Sequence, residues 1–493
     1  MRDFPPLRVL DFASMANESF SAYRTRITQI VCGLAFLGVV MFALRSLMAG
    51  SVGKTAMVLV LALGGALVFA LDDKYWVLLP FLFASNIAIP SLPFNGKEIG
   101  CLVVVGVYFV RVAAKKEHVF RFDRDLVVTL PVLFWMFVVW MLNPVGLAMF
   151  GSSVIGGRFY FDIATGTMAL FVLSTIRVTE NDARLLFFAI LAGLCWALAR
   201  GVIFPGTDPD AIVFTGAEPE RSTRYAFVVC SSIFMLLFSY WSLSSILSSP
   251  LRIPLFVVLS MLVVYSGKRR AFGTIALVPF FRMFLTGKER LLTIVISVLA
   301  VFFLLFAVAG DGGAYRLPQS ARRVLAIVVP DYQRHGDGGF YDTFRREMRE
   351  QARFVIHDDP WFGRKGFAMN FNETSWMNFG GGLTSLYAGH AYAGNWHSTW
   401  YAYAADFGIP CMLFWFLFTV YVLVYAVRAC RIVTIGRFLP TCCLYYSLWF
   451  LVDTAFSYTT GHAGFTTRDN FVSYGLLLAI VRGYKQEQGL SAS

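Results

Sequence analysis

Three groups of residues in this chain of 493 combine types that do chemistry together. Lys268, Arg269 and Arg270 stand in Ser-Gly-Lys-Arg-Arg-Ala-Phe-Gly at the end of an apolar run. Arg345, Arg349 and Arg353 follow one another at four-residue spacing in the polar stretch 341–357. His397 stands where the chain returns from that polar region to apolar sequence. An arginine at a membrane boundary is costly unless an anion answers it, and its planar fork matches phosphate oxygens two at a time. A histidine titrates near neutral pH and can take a proton from a hydroxyl. Two arginines and one base therefore suit attack of a hydroxyl on a carbon that carries a pyrophosphate leaving group. Pyrophosphate leaves without a proton once its growing charge is neutralised, so the chemistry calls for no metal and no cofactor.

Each residue also has a plainer structural reading. His397 alone is an interfacial histidine bonded to a nearby carbonyl, and Arg345 alone is a solvated helix charge. Between Arg269 and Arg270 the choice is open, with spacing favouring Arg269. Trp396, Trp400 and Tyr401 read as an aromatic belt at a membrane interface, although a face such as that of Trp400 also stacks on sugar rings. Asp208-Pro209-Asp210 is a lone DxD, a pattern common by chance in polar loops. Asp406 lies just past His397 and is placed to orient it. The eight cysteines form no CxxC pair, and none falls in the long polar stretch. Zinc and a disulfide framework are therefore not expected.

The elements that must position these residues are helices in a bilayer. Fully 57% of the chain is apolar or aromatic, only 15% is charged, and 49 residues are Phe. The mean hydropathy is +0.64. That composition excludes a disordered chain and an ordinary water-soluble enzyme. Fourteen apolar runs, most of about 17–22 residues, lie between 27 and 483. The weakest are 252–266 and 271–287; the run 398–427 follows His397. No apolar core with a cleavage site follows the polar N-terminus, so no cleaved signal peptide is read. The expected fold is an all-α polytopic membrane protein with about 12–14 transmembrane helices and one long periplasmic loop. Its parts are a cytoplasmic segment 1–26, a transmembrane bundle 27–309, the periplasmic loop 310–395, C-terminal transmembrane helices 396–483 and a cytoplasmic tail 484–493.

Orientation follows from the basic residues. With both termini inside, the inner segments hold 21 Lys and Arg against 11 in the short outer ones, in keeping with the positive-inside rule. Six outer residues break the rule and cluster: Arg200, Arg221, Arg224, Lys268, Arg269 and Arg270. Within the long loop, Phe344, Met348, Ala352, Val355 and Ile356 recur at helical spacing beside the Arg345–Arg349–Arg353 row. That predicts an amphipathic helix over 341–357, stopped by Asp358-Asp359-Pro360 and turned by Gly363 and Gly366. A second amphipathic stretch is read at 320–329.

The order of these motifs resembles the bacterial O-antigen ligases and O-antigen or exopolysaccharide polymerases. The carriers are Ser266-Gly267-Lys268-Arg269-Arg270-Ala271, then Arg345 before Pro360-Trp361-Phe362-Gly363, then His397-Ser398 before Phe407-Gly408-Ile409. The likeness covers roughly 255–425. Ser398 stands where that family carries Asn, and three basic residues share the first motif where one is usual. The resemblance implies a multi-pass protein of the bacterial inner membrane with its site facing the periplasm. It implies a glycan donor on undecaprenyl pyrophosphate and a glycan or lipid A-core acceptor. His397, Arg345 and Arg269 would be catalytic. Arg270, Lys268, Arg224, Arg221, Arg349 and Trp400 would hold pyrophosphate or glycan, with no metal, no cofactor and no nucleic acid. Displacement would be inverting. Ligase and polymerase remain alternatives, as do a protein O-glycosyltransferase of the same superfamily and a transporter or flippase of lipid-linked sugars. For the transporter, Asp162 and Asp453 are the candidate mid-span acids, although both stand near the ends of their runs.

Overall fold

The computed structural model describes residues 71–85, 87, 95–114, 122–143, 157–203, 226–266, 268–287, 294, 338–367, 396, 398–456 and 463–489, with side chains at all of these except 157, 158, 269, 338–345 and 465. These residues are 85% helical and include no strand. The chain divides into two compact units. The first, 1–75 with 89–92, is described only over 71–75, at the start of a 3-10 turn. Everything below concerns the second, 76–88 with 93–493.

In chain order its helices are α1 (Leu78–Ser85), α2 (Gly96–Ala113), α3 (Leu130–Leu142, after a 3-10 turn Arg124–Thr129), α4 (Gly157–Thr175), α5 (Glu180–Ile203) and α6 (Val229–Tyr240). Then come α7 (Arg252–Ser266), α8 (Arg269–Thr286), α9 (Gly338–Asp358), α10 (Thr399–Phe407), α11 (Ile409–Ile432), α12 (Phe438–Ala455) and α13 (Ala463–Glu487). Local sequence explains several starts. Asn95 accepts the Glu98 N–H at 3.0 Å while the Glu98 carboxylate accepts the Asn95 N–H at 2.7 Å, a reciprocal cap for α2. Glu180 accepts the N–H groups of Arg437, Phe438 and Leu439, so the first turn of α5 caps the start of α12.

The helix predicted over 341–357 runs from Gly338 to Asp358. The runs 252–266 and 271–287 become α7 and α8, with only 267–268 between them. The run 398–427 is not one helix. Gly408 takes a left-handed φ of 86° and Pro410 opens the next helix, so α10 and α11 are separate. At nine residues α10 is too short to cross a bilayer. The stretches 208–210 and 320–329 lie outside the described residues.

Arg124–Leu142, α5 and α11 are each long and apolar enough to cross a membrane, and most of their residues lie outside the core. Phe134 and Phe137, Phe188 and Trp196, and Phe416 and Leu417 face outward from them. Leaving such side chains in water would forgo roughly 1.5–3 kcal/mol each, a loss that hydrocarbon surroundings remove.

Contacts sort the helix ends into two sets. At one end lie the starts of α2, α4, α8, α10 and α13 with the end of α12: Lys97 pairs with Asp469, Arg468 with Asp162, and Arg270 with Asp453. At the other, Arg482 meets Asp123, Arg177 meets Gln486, and Glu180 caps α12. Successive helices thus run up and down. The tightest pairing is α13 along α4, where a Cβ on Gly166 would come 2.6 Å from the Arg468 Cα. Only glycine admits that approach, and it brings the Arg468 guanidinium to Asp162.

Candidate functional site

The first candidate group opens α8. Lys268 is its N-cap residue, and the Lys268 N–H is donated to the Ser266 hydroxyl at 3.3 Å. The Arg269 backbone is in the first helical turn; its side chain lies outside the described residues. Arg270 is committed: its guanidinium reaches Asp453 at 2.6 Å, near the end of α12. The other Asp453 oxygen accepts from the Asn470 amide of α13 at 3.2 Å. Asp453 is therefore an arginine partner near a helix end, not a mid-span acid. Asp162, five residues into α4, is likewise answered by Arg468. Arg221 and Arg224 lie outside the described residues.

The second group sits on α9. Met348 and Ala352 are fully buried, and Val355 and Ile356 pack beside them against the core. The helix lies against α10. Position 345 precedes Met348 by three residues, Ala352 by seven and Ile356 by eleven, so it shares the register of that packed face; the Arg345 side chain is outside the described residues. Arg349, half-buried, stands next to the face, and Arg353 is at its rim. There Arg353 Nε donates to the Tyr401 hydroxyl at 3.0 Å, with the guanidinium 5.9 Å from the Tyr401 ring centroid. From Arg349 to Arg353 the row thus runs from beside the packed face to its rim.

The third group surrounds the entry to α10. His397 lies outside the described residues, but its two neighbours do not. Trp396 and Ser398 are both buried. Trp396 leaves the expected aromatic belt: its ring N–H donates to Asp406 Oδ1 at 2.8 Å inside the protein. Trp400 keeps a more peripheral place, half-buried with its ring 6.0 Å from that of Phe416. Arg364 Nε also meets Asp406 Oδ1, at 2.7 Å; whether Asp406 orients His397 lies outside the described residues. The Arg364 guanidinium lies 5.5 Å from the Trp396 ring centroid.

Arg364 reaches this place because the turn after α9 is sewn onto the end of α10. Backbone bonds run from Arg364 N–H to Ala405 O (2.8 Å), Gly366 N–H to Asp406 O (2.6 Å) and Ile409 N–H to Pro360 O (2.8 Å). Gly363 has a left-handed φ of 58°, and a Cβ there would strike the Ala405 carbonyl. Helix α3 closes the other side: Trp135 stacks on Phe362 at 5.6 Å and donates to the Phe407 carbonyl. Burial pushes the Asp406 carboxyl up to about 6, while the Arg364 guanidinium and the Trp396 N–H pull it down.

Helix α13 joins the groups. Its Thr467 hydroxyl bonds the Tyr403 hydroxyl of α10 at 2.6 Å, and Asn470, one turn on, holds the Asp453 that holds Arg270. Beside them Arg468 is sealed against Asp162, with Glu98 at 3.9 Å. One end of the bundle thus carries the start of α8 with Arg270, the end of helix α9, and residues 396 and 398. Sequence reasoning passed over Arg364 and Arg468; an arginine beside a glycine turn, and one between glycine-bearing apolar stretches, were the available signals. Comparison of the chain with models of known protein families gives no match, and comparison with curated protein sequences gives none either.

Proposed function

We propose that the chain is a membrane glycosyltransferase that moves a glycan from a lipid pyrophosphate to an acceptor hydroxyl. The donor would be undecaprenyl-pyrophosphate-linked, as in the O-antigen ligases and polymerases the sequence resembles. One observation carries the reading: α9, with position 345 in the register of its packed face, lies directly on the helix that begins two residues after His397. The Arg269–Arg270 turn shares that end of the bundle through Asp453, Asn470 and Thr467. On this reading the end faces the periplasm, since the charge bias places the other end inside. Arg345 and Arg269 neutralise the departing pyrophosphate, and His397 takes the hydroxyl proton. Arg270, already paired, holds the α8 turn in place. A polar end with its buried acids answered by arginine favours surface catalysis over passage through the bundle, so the transporter stands second.

The test is transfer of a lipid-linked glycan by the purified protein in proteoliposomes. His397→Ala is expected to reduce turnover about 10²–10⁴-fold. Arg345→Lys is expected to fail too, because a point ammonium replaces a planar fork. Normal transfer by well-accumulated His397→Ala and Arg345→Ala would move the active site elsewhere and promote the transporter. A cysteine at 375 should label from outside cells and one at 118 only after permeabilisation; the reverse would invert the orientation.

A further inference from the structure

Asp406 touches two segments that sequence keeps apart: the turn that follows α9, through Arg364, and the residue that precedes His397, through Trp396. Both donors converge on a single oxygen, Oδ1. The other, Oδ2, is buried with no hydrogen-bond partner among the described residues, and so is the Ser398 hydroxyl oxygen. Asp406 and Ser398 are both fully buried, and the Arg364 side chain is 9% exposed. An apolar pair of the same volume would hold the fold as well as a buried ion pair does. What an apolar pair lacks is direction. The Asp406–Arg364–Trp396 arrangement fixes one indole ring by its N–H and its face, and so anchors the chain at residue 396.

We propose that Asp406, with Arg364, is a positioning residue that clamps Trp396 and thereby sets the 396–398 segment against the end of α9. Its catalytic consequence rests on the proposed function, because the clamped segment is the one that carries His397. The pair then sets the spacing between the arginine helix and the base without touching substrate. Asp406 Oδ2 and Ser398 Oγ, which have no hydrogen-bond partner among the described residues, are acceptors whose complement is an N–H or a hydroxyl.

The clamp is tested by the rate at which a Thr399→Cys probe in α10 reacts with a membrane-impermeant maleimide, corrected for the same protein without the probe. Thr399 is buried, so the parent should label slowly. Asp406→Ala and Arg364→Met are expected to raise the rate at least tenfold. Trp396→Phe, which keeps an aromatic ring, though a smaller one, but removes the N–H, is expected to raise it too and carries the test if the charge variants fail to accumulate. In probe-free proteins the same variants are expected to lower kcat for glycan transfer at least tenfold with the donor KM within twofold, a split that general unfolding does not give. Unchanged labelling in every accumulated variant overturns the clamp. Faster labelling with unchanged kcat overturns the positioning role and leaves the proposed function standing. If the parent transfers no glycan, the proposed function falls, and labelling alone decides whether the clamp exists.

Discussion

At one end of the bundle Glu98, Asp162, Arg364, Asp406 and Arg468 are withdrawn from solvent and answer one another; at the other, Arg482 reaches Asp123 where that carboxylate is 46% exposed. The two ends use the same residue types at opposite cost. Exposed pairs contribute about 0–1 kcal/mol and lose most of that in salt. Buried pairs begin with a desolvation penalty of several kcal/mol per ion and recover it only through geometry. A bundle seeking stability alone would place its charges as the second end does. On the proposed function the first end is the working one, and the contrast can be broken by experiment.

The largest effect is expected at Arg468. Removing its guanidinium leaves Asp162 and Glu98, both fully buried, without their cation. Arg468→Ala should cost roughly 3–5 kcal/mol, read as thermal unfolding in detergent. Arg468→Met with Asp162→Asn should recover part of it, since the stranded charge goes with its partner. A neutral Arg468→Ala would show that water or lipid reaches this end as freely as the other.

Next comes pH at Asp406. Burial raises its carboxyl from 3.8 to about 6 in the folded chain. Between about pH 4 and 6 the folded protein thus keeps a proton that the unfolded chain has released, and stability falls as pH rises through that window. The whole effect is at most roughly 3 kcal/mol. Asp406→Asn should flatten this part of the stability profile. Arg364→Met should extend the fall to higher pH, because that guanidinium lowers the carboxyl. A profile identical in wild type and Asp406→Asn would place the carboxylate in contact with bulk water.

The Arg270 turn stands between the two regimes. Its guanidinium is 35% exposed and its partner Asp453 14%. Arg270→Ala should cost less stability than Arg468→Ala, on the order of 1–2 kcal/mol, and should spare glycan transfer relative to Arg269→Ala. Equal loss of transfer in both, at equal accumulation, would make the pair one functional unit.

Much of this was legible before the fold. Met348, Ala352, Val355 and Ile356 announce α9 because helical periodicity is a local property, and Asp358-Asp359-Pro360 announces its end. What hydropathy blurs is a break inside an apolar run. Phe407-Gly408-Ile409-Pro410 carries the signal for the α10–α11 junction in two residues, while the surrounding side chains read as one span. Long-range pairing was not legible at all. Nothing near Arg270 points 183 residues on to Asp453, and Arg364 is separated from Asp406 by a whole polar region. Trp396 illustrates the same limit, since an indole beside a membrane entry suggests a belt until its N–H is seen to have a buried carboxylate.

The smallest effect belongs to the other end and fixes the scale for the rest. Arg482 on α13 donates to the Asp123 carboxylate at 2.6 Å and to the Ser174 carbonyl at the end of α4. Its side chain is 22% exposed, so water takes over much of what a truncation would remove. The Ser174 carbonyl is an acceptor near a helix terminus, where solvent or a neighbouring side chain can replace a lost donor. Arg482→Gln removes the ion pair and leaves a shorter amide in place of the guanidinium. It is expected to cost no more than about 1 kcal/mol, and the difference from wild type should shrink further at 0.5 M salt, where screening is felt within about 4–5 Å. Thermal unfolding of the two proteins at low and high salt measures this directly. A salt-independent loss as large as that of Arg468→Ala would mean that Asp123 and Arg482 are sealed by something the bundle does not itself provide. The two ends would then no longer differ in how they hold charge, and the case for placing the working residues at the first would lose its energetic ground.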